Sequence, residues 1–129
     1  MFTSRIRQCS VANMKKVLLF LWQLPQNIIG ILVVLFCVAG PDSNNVYICD
    51  YNFGVSLGNF IIMNKNYSRT DLKHERGHQK QSLYLGWLYL FTIGILSVCG
   101  NLYDRYIHRI DYYNQPWEKW ADKLGGVVR

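Results

Sequence analysis

Charge is scarce in this chain. Only 17% of its 129 residues are Asp, Glu, Lys or Arg, against about a quarter in soluble domains. No basic run alternates with aromatics along one face, which argues against nucleic acid as a partner. Cysteine is sparse as well. Cys9, Cys37, Cys49 and Cys99 are widely spaced with no CxxC pair, which excludes a dense disulfide framework. Cys37 and Cys99 lie in apolar stretches, where a thiol behaves as a small hydrophobe, and all four are read as reduced. No internal repeat and no low-complexity segment occurs, and at 129 residues the chain reads as one domain by length.

Half of the residues are hydrophobic, and they are gathered into two blocks rather than spread as amphipathic stripes. The first, residues 17–40, could reach roughly 36 Å as a helix, enough to span a bilayer. Gln23-Leu24-Pro25-Gln26-Asn27 interrupts it. Proline removes a backbone donor and clashes with the preceding turn, which predicts a break near Leu24. The three amides should face protein or water. Cys37-Val38-Ala39 resembles a signal-peptide cleavage site, but the polar interruption favours a retained anchor. Residues 1–13 are polar and aperiodic and read as a disordered extension, and Met14-Lys15-Lys16 offers an alternative start. The net charge of +6 suits a surface near anionic lipid headgroups.

Residues 41–45 (PDSNN) are turn chemistry. Residues 46–64 are rich in Val, Ile, Tyr and Phe and predict two strands, 46–51 and 55–63, joined around Asn52-Phe53-Gly54. An extended peptide could add to the exposed edge of such a hairpin, with Val55, Leu57 and Asn59 as its substrate strand. Residues 65–69 form a loop, although Asn66-Tyr67-Ser68 matches a glycosylation sequon. Ser68 or Thr70 then caps a helix with Asp71 in its first turn. That helix is expected to run straight into the second apolar block, residues 82–100. A further helix over 101–113 and a last one over 116–124, closed by Gly125-Gly126, complete the chain. The Tyr and Trp residues from Tyr103 to Trp120 read as an interfacial belt.

The chemistry is concentrated in Lys73-His74-Glu75-Arg76-Gly77-His78-Gln79, which contains His-Glu-x-x-His. Residues four apart on a helix share a face, so His74 and His78 point the same way with Glu75 beside them. Two imidazoles and a carboxylate so placed suit a zinc ion and an activated water. Catalytic zinc takes three protein ligands, and the third must come from the remaining carboxylates or His108. Glu118 stands out because Asp122 follows four residues later on the same helical face. One can ligate the metal while the other accepts the outer N–H of a ligand histidine. His108, Tyr103 and Tyr113 are candidate donors to an oxyanion.

His-Glu-x-x-His with a downstream Glu-x-x-Ala-Asp resembles the gluzincin zinc peptidases, especially the integral-membrane endopeptidases of the prenyl-protein and heat-shock type. The local form His74-Glu75-x-Gly77-His78-x-x-Gln81 is similar to small bacterial membrane zinc peptidases. The resemblance covers about fifteen residues in two patches. It implies His74, His78 and Glu118 as ligands of one zinc ion, Glu75 as general base and Asp122 as the partner of His74. The implied activity is endoproteolysis of a membrane-associated or membrane-proximal polypeptide. The alternatives are a non-catalytic small membrane subunit and a membrane perturber that needs no metal.

A shared metal site constrains topology. If 82–100 spanned a bilayer, His78 and Glu118 would start from opposite faces, so the block is expected to enter and turn back at Gly94, Ser97, Gly100 or Asn101. The expected fold is a mainly α integral membrane protein. It has a kinked N-terminal membrane helix, a β-hairpin at about 46–63, the motif helix running into a membrane-embedded helical hairpin, and a short C-terminal helix. The expected location is a bacterial inner membrane, with the charge rule placing the site on the outer side.

Overall fold

Ser68 and Asp71 start the helix against which the rest of the chain packs. The computed structural model describes residues 2–37, 40–42, 44, 46–107 and 111–129. In it Ser68 Oγ accepts the Asp71 N–H (3.1 Å), while Asp71 Oδ2 accepts the Ser68 N–H (2.9 Å). This reciprocal cap satisfies two donors that a helix start leaves free. The helix, α3 (Arg69–Leu85), buries Leu72, His74, Glu75, Gly77, His78, Gln81 and Ser82, a face recurring at helical spacing.

The motif helix does not continue into the second apolar block, contrary to expectation. Gly86 has φ +56°, and a Cβ there would overlap the Trp22 indole, so the helix ends at a residue only glycine can supply. Helical structure resumes at Leu88, passes through a π-helical turn at Leu90–Gly94, and continues as α4 (Ile95–Ile107). The expected turn at 94–101 is therefore replaced by a corner at 86–87, and 94–101 lie within continuous helical structure. A 3-10 turn at Tyr112–Asn114 leads into α5 (Pro116–Gly125), which has Pro116 in its first turn and Gly126 closing it in the left-handed conformation. Of the expected helix over 101–113, residues 101–107 lie in α4 and Tyr112 and Tyr113 in the 3-10 turn, while 108–110 lie outside the described residues.

The expected hairpin is also corrected. Four strands, β1 (Gly40–Pro41), β2 (Tyr47–Cys49), β3 (Gly54–Leu57) and β4 (Phe60–Asn64), form a mixed sheet in the order β1-β2-β4-β3. The tight connection lies at Gly58-Asn59 between β3 and β4, and β2 runs parallel to β4. Gly58 sets the turn with φ +62°, and the Asn59 N–H donates to Asn27 Oδ1 at 2.8 Å. One sheet face carries Val46, Ile61 and Met63 against Leu72 of α3. The other carries Cys49, Leu57 and Ile62 against Val33 and Val34, so the sheet lies between two helices.

Those valines belong to α2 (Leu24–Cys37), which follows α1 (Phe2–Trp22) across a bend of 87° at Gln23. Pro25 breaks the hydrogen-bond ladder there. The corner is pinned to the end of α3 by buried amides. The Ser82 hydroxyl donates to Gln23 Oε1 at 2.7 Å, and Gln26 Nε2 donates to the Gly86 carbonyl at 2.7 Å and to Ser82 Oγ at 3.0 Å. Trp22 and Trp87 donate their indole N–H groups crosswise to the carbonyls of Leu83 and Leu21.

The expectation of an integral membrane fold, and with it the inner-membrane location and outer-side orientation, is overturned by this geometry. Among the described residues no single helix is long and apolar enough to cross a membrane. Only α1 and α2 taken together reach that length and composition, across their 87° bend. Helices around a small mixed sheet replace the membrane-embedded hairpin. The alternative cleavage after Ala39 falls outside the described residues.

Helix α5 lies along α3 at backbone contact. A Cβ on Gly77 would overlap the Ala121 carbonyl, and one on Gly125 would overlap the Lys73 carbonyl. Gly77→Ala should therefore cost about 1–3 kcal/mol through overpacking, seen as a lowered midpoint in thermal denaturation. Gly94→Ala, whose new Cβ would meet its nearest neighbour at 3.4 Å, should leave the midpoint unchanged or raise it.

Candidate metal centre

The glycine contacts bring Glu118 and Asp122 of α5 beside His74 and His78 of α3. His74 Nδ1 lies 2.6 Å from Asp122 Oδ1, and His78 Nδ1 lies 2.7 Å from Gln81 Oε1. Gln81 is fixed in turn, because its Nε2 donates to the Trp117 carbonyl at 2.7 Å. Both Nδ1–H groups are thus committed outward, so in the neutral rings each Nε2 presents a lone pair inward. The two Nε2 atoms are 3.1 Å apart, and each is 3.1 Å from Glu118 Oε2.

Two lone pairs and a carboxylate oxygen facing one another at that distance repel unless a cation lies among them. The triangle fits a metal. With sides of 3.1 Å its corners are about 1.8 Å from the centre, so an ion about 1 Å above the plane would be about 2.05 Å from each ligand atom, within the range for zinc with His and Glu. The buried group His74, His78 and Glu118 could hold a metal ion. The other carboxylate oxygen of Glu118 accepts the Ser97 hydroxyl at 2.5 Å, which leaves Oε2 free to point inward.

Electrostatics agree with a cation site. Burial pulls His74 and His78 down, but hydrogen bonding to Glu118 and the nearby carboxylates outweigh it, so both sit above the ordinary histidine value. Burial pushes Glu118 up, but hydrogen bonds to both histidines outweigh that and hold it well below the carboxylate range. The same arrangement favours a proton on the imidazoles when no metal is bound.

Glu75 is buried beside the triad, and burial raises its carboxyl. Its Oε2 has no hydrogen-bond partner among the described residues. Gly54 of β3 leaves room for it, since a Cβ there would stand 3.2 Å from Glu75 Oε1. Two cavities meet at Glu75, of about 360 and 530 Å³. Phe53, Gly54, Asn101, Arg105 and Tyr112 line both.

The four residues read as metal ligands and partner come together at this point. Val55 and Leu57 line the larger cavity, whereas Asn59 sits in the turn with its N–H already bonded to Asn27. In an antiparallel pair closed by a two-residue turn, alternate residues direct their N–H and C=O away from the partner. Here these are Gly54 and Ser56, one position off the expected set. Among the oxyanion candidates, Tyr113 lines the smaller cavity, Tyr103 lines neither, and His108 lies outside the described residues.

Three contributors carry no signal in the sequence. Ser97 supports Glu118. Tyr112 reaches the junction of the cavities, its hydroxyl kept protonated by burial and the charge of Glu118. Arg129 donates to Asp122 Oδ2 at 3.0 Å and stacks 3.7 Å over the Tyr113 ring, which itself meets the His74 ring edge-on. Each comes from a distant segment with no fixed spacing to the motif. No protein-family model, curated protein or solved structure matches the chain.

Two outcomes follow for metal binding. Asp122→Ala should weaken it by about 10- to 100-fold, the usual effect of removing such a partner, as read by competition with a chelator. Because both histidines titrate above the ordinary 6.5, protons compete with metal from above that pH. Affinity should fall as pH drops through the raised value. The metal-free protein has the opposite sign: protonated histidines stabilise its fold at low pH, and that contribution is lost as pH rises through the same value. Thermal denaturation with and without metal across pH 6 to 8 checks both.

Proposed function

We propose that this chain is a zinc-dependent endopeptidase that hydrolyses peptide bonds of a polypeptide laid against β3. One observation supports the reading above others. The three inward ligand atoms of His74, His78 and Glu118 converge beside a buried carboxylate, Glu75, with one oxygen unpartnered among the described residues at the junction of two cavities. A triad of this kind leaves a coordination position open, whereas structural zinc sites close all four with protein ligands. Zinc bound there supplies a Lewis acid and a bound water of pKa near about 7.

The chain's own groups divide the remaining work. Glu75, its carboxyl raised by burial, is suited to take a proton from water and deliver it to the leaving amine. Asp122 and Gln81 hold the histidine rings in one tautomer and orientation. Tyr112 stays protonated and provides a hydroxyl donor where negative charge develops on the carbonyl oxygen. The outward N–H and C=O groups of Gly54 and Ser56 can pair with the substrate backbone.

Glu75→Gln should retain stoichiometric zinc and lose hydrolysis by about 10²- to 10⁴-fold, the usual contribution of a general base. His74→Ala should lose both. Tyr112→Phe should lower kcat by roughly 10²-fold with zinc retained. Wild-type protein that holds zinc yet cleaves no peptide would overturn the reading in favour of a structural metal.

A further inference from the structure

The two cavities differ in character, and β3 passes from one to the other. Asn52 lines only the smaller cavity, Phe53 and Gly54 line both, and Val55, Ser56 and Leu57 line only the larger. Helix α3 follows the same course: Asp71 and His74 line the smaller, Glu75 both, and His78 the larger. The cleft therefore has a direction, with Glu75 at its midpoint.

Its two halves want different side chains. The smaller chamber is walled by Asn52, Asn64, Asn66, Tyr67 and Asp71. The larger is walled by Ile29, Val33, Val55, Leu57, Leu90 and Val98. At 530 Å³ it falls within the roughly 300–1,000 Å³ of ligand pockets. Among the described residues β3 pairs with β4 alone, which leaves its other edge open, and its residues line both cavities. Ser56 Oγ, like Glu75 Oε2, is buried with no hydrogen-bond partner among the described residues. Both line the larger chamber, and an incoming peptide backbone offers the partners they lack.

An added strand can run either way, but antiparallel pairs are somewhat more stable and outnumber parallel ones. Because β3 runs from the polar chamber into the apolar one, an antiparallel peptide enters with its N-terminal half in the apolar chamber. We propose that this cleft selects extended peptides by direction, taking apolar residues on the N-terminal side of the bond at Glu75 and polar residues on its C-terminal side. The inference rests on the peptidase reading for its biological meaning, but it is a statement about binding and is tested as one.

The test uses the zinc-loaded Glu75→Gln protein and two synthetic peptides of identical composition. One has an apolar half followed by a polar half, and the other has the reverse order. Calorimetry should show the first binding about tenfold tighter or more, since burying one leucine-sized side chain is worth that much. Val98→Asp, at a wall position that is itself 53% exposed, should abolish the preference with zinc content unchanged. Equal affinities, or tighter binding of the reversed peptide, overturn the proposal. Incubating wild type with both peptides separates the two claims. Cleavage without the binding preference leaves a peptidase and removes the direction. The preference without cleavage supports the direction and removes the peptidase.

Discussion

The site depends on how closely two helices approach. Histidines four apart on α3 can offer two ligand atoms, but a third must come from elsewhere, within about 3 Å of both. Glycine at 77 and at 125 lets the α5 backbone lie directly on that of α3. Only at that separation does the short side chain of Glu118 reach both Nε2 atoms while Asp122 reaches the outer nitrogen of His74. Gly77 is thus as much part of the candidate metal centre as the histidines on either side of it. A larger residue would push α5 away and leave two ligands facing a third that could not arrive.

Around that contact the chain is arranged as a set of braces. The sheet supports one face of α3 through Leu72, and α2 supports the far face of the sheet through Val33 and Val34. The end of α3 is held by the Gln23, Gln26 and Ser82 network one turn past His78. Ser97 of α4 steadies Glu118, and the segment after α5 returns through Arg129 to Asp122. Hydrogen bonds between buried polar groups strengthen one another at low dielectric, so the amide corner and the metal site form neighbouring rigid units on a single helix.

What was legible in the sequence was what a regular period can encode. His74, His78, Glu118 and Asp122 follow from spacing along two helices, and the Ser68–Asp71 start follows from capping chemistry. What escaped was decided by contacts between distant segments. Gly86 reads as an ordinary glycine inside an apolar run until Trp22 is laid against it. The Gly58 turn is held to α2 by Asn27, which accepts the next N–H from 32 residues away. The membrane expectation failed for a related reason. The break at Pro25 and the need of the three amides for partners were legible, but not the size of the bend: at 87° it divides the 24-residue run into two helices, and the amides pair with α3 and with the β3–β4 turn. Polar groups that would be costly in lipid are here the joints of the structure.

The contact between α3 and α5 also joins parts of the chain made at different times. The sheet and α3 are built largely from neighbouring sequence, but Glu118 lies 40 residues beyond His78. Loop closure over that length is the slower event, since its entropy must be lost before the contact is gained. A chain still emerging would own His74, Glu75 and His78 with no Glu118 to complete the group. The order of synthesis therefore acts as a safety catch: the three-ligand site cannot be completed until α5 has been made and has folded back onto α3.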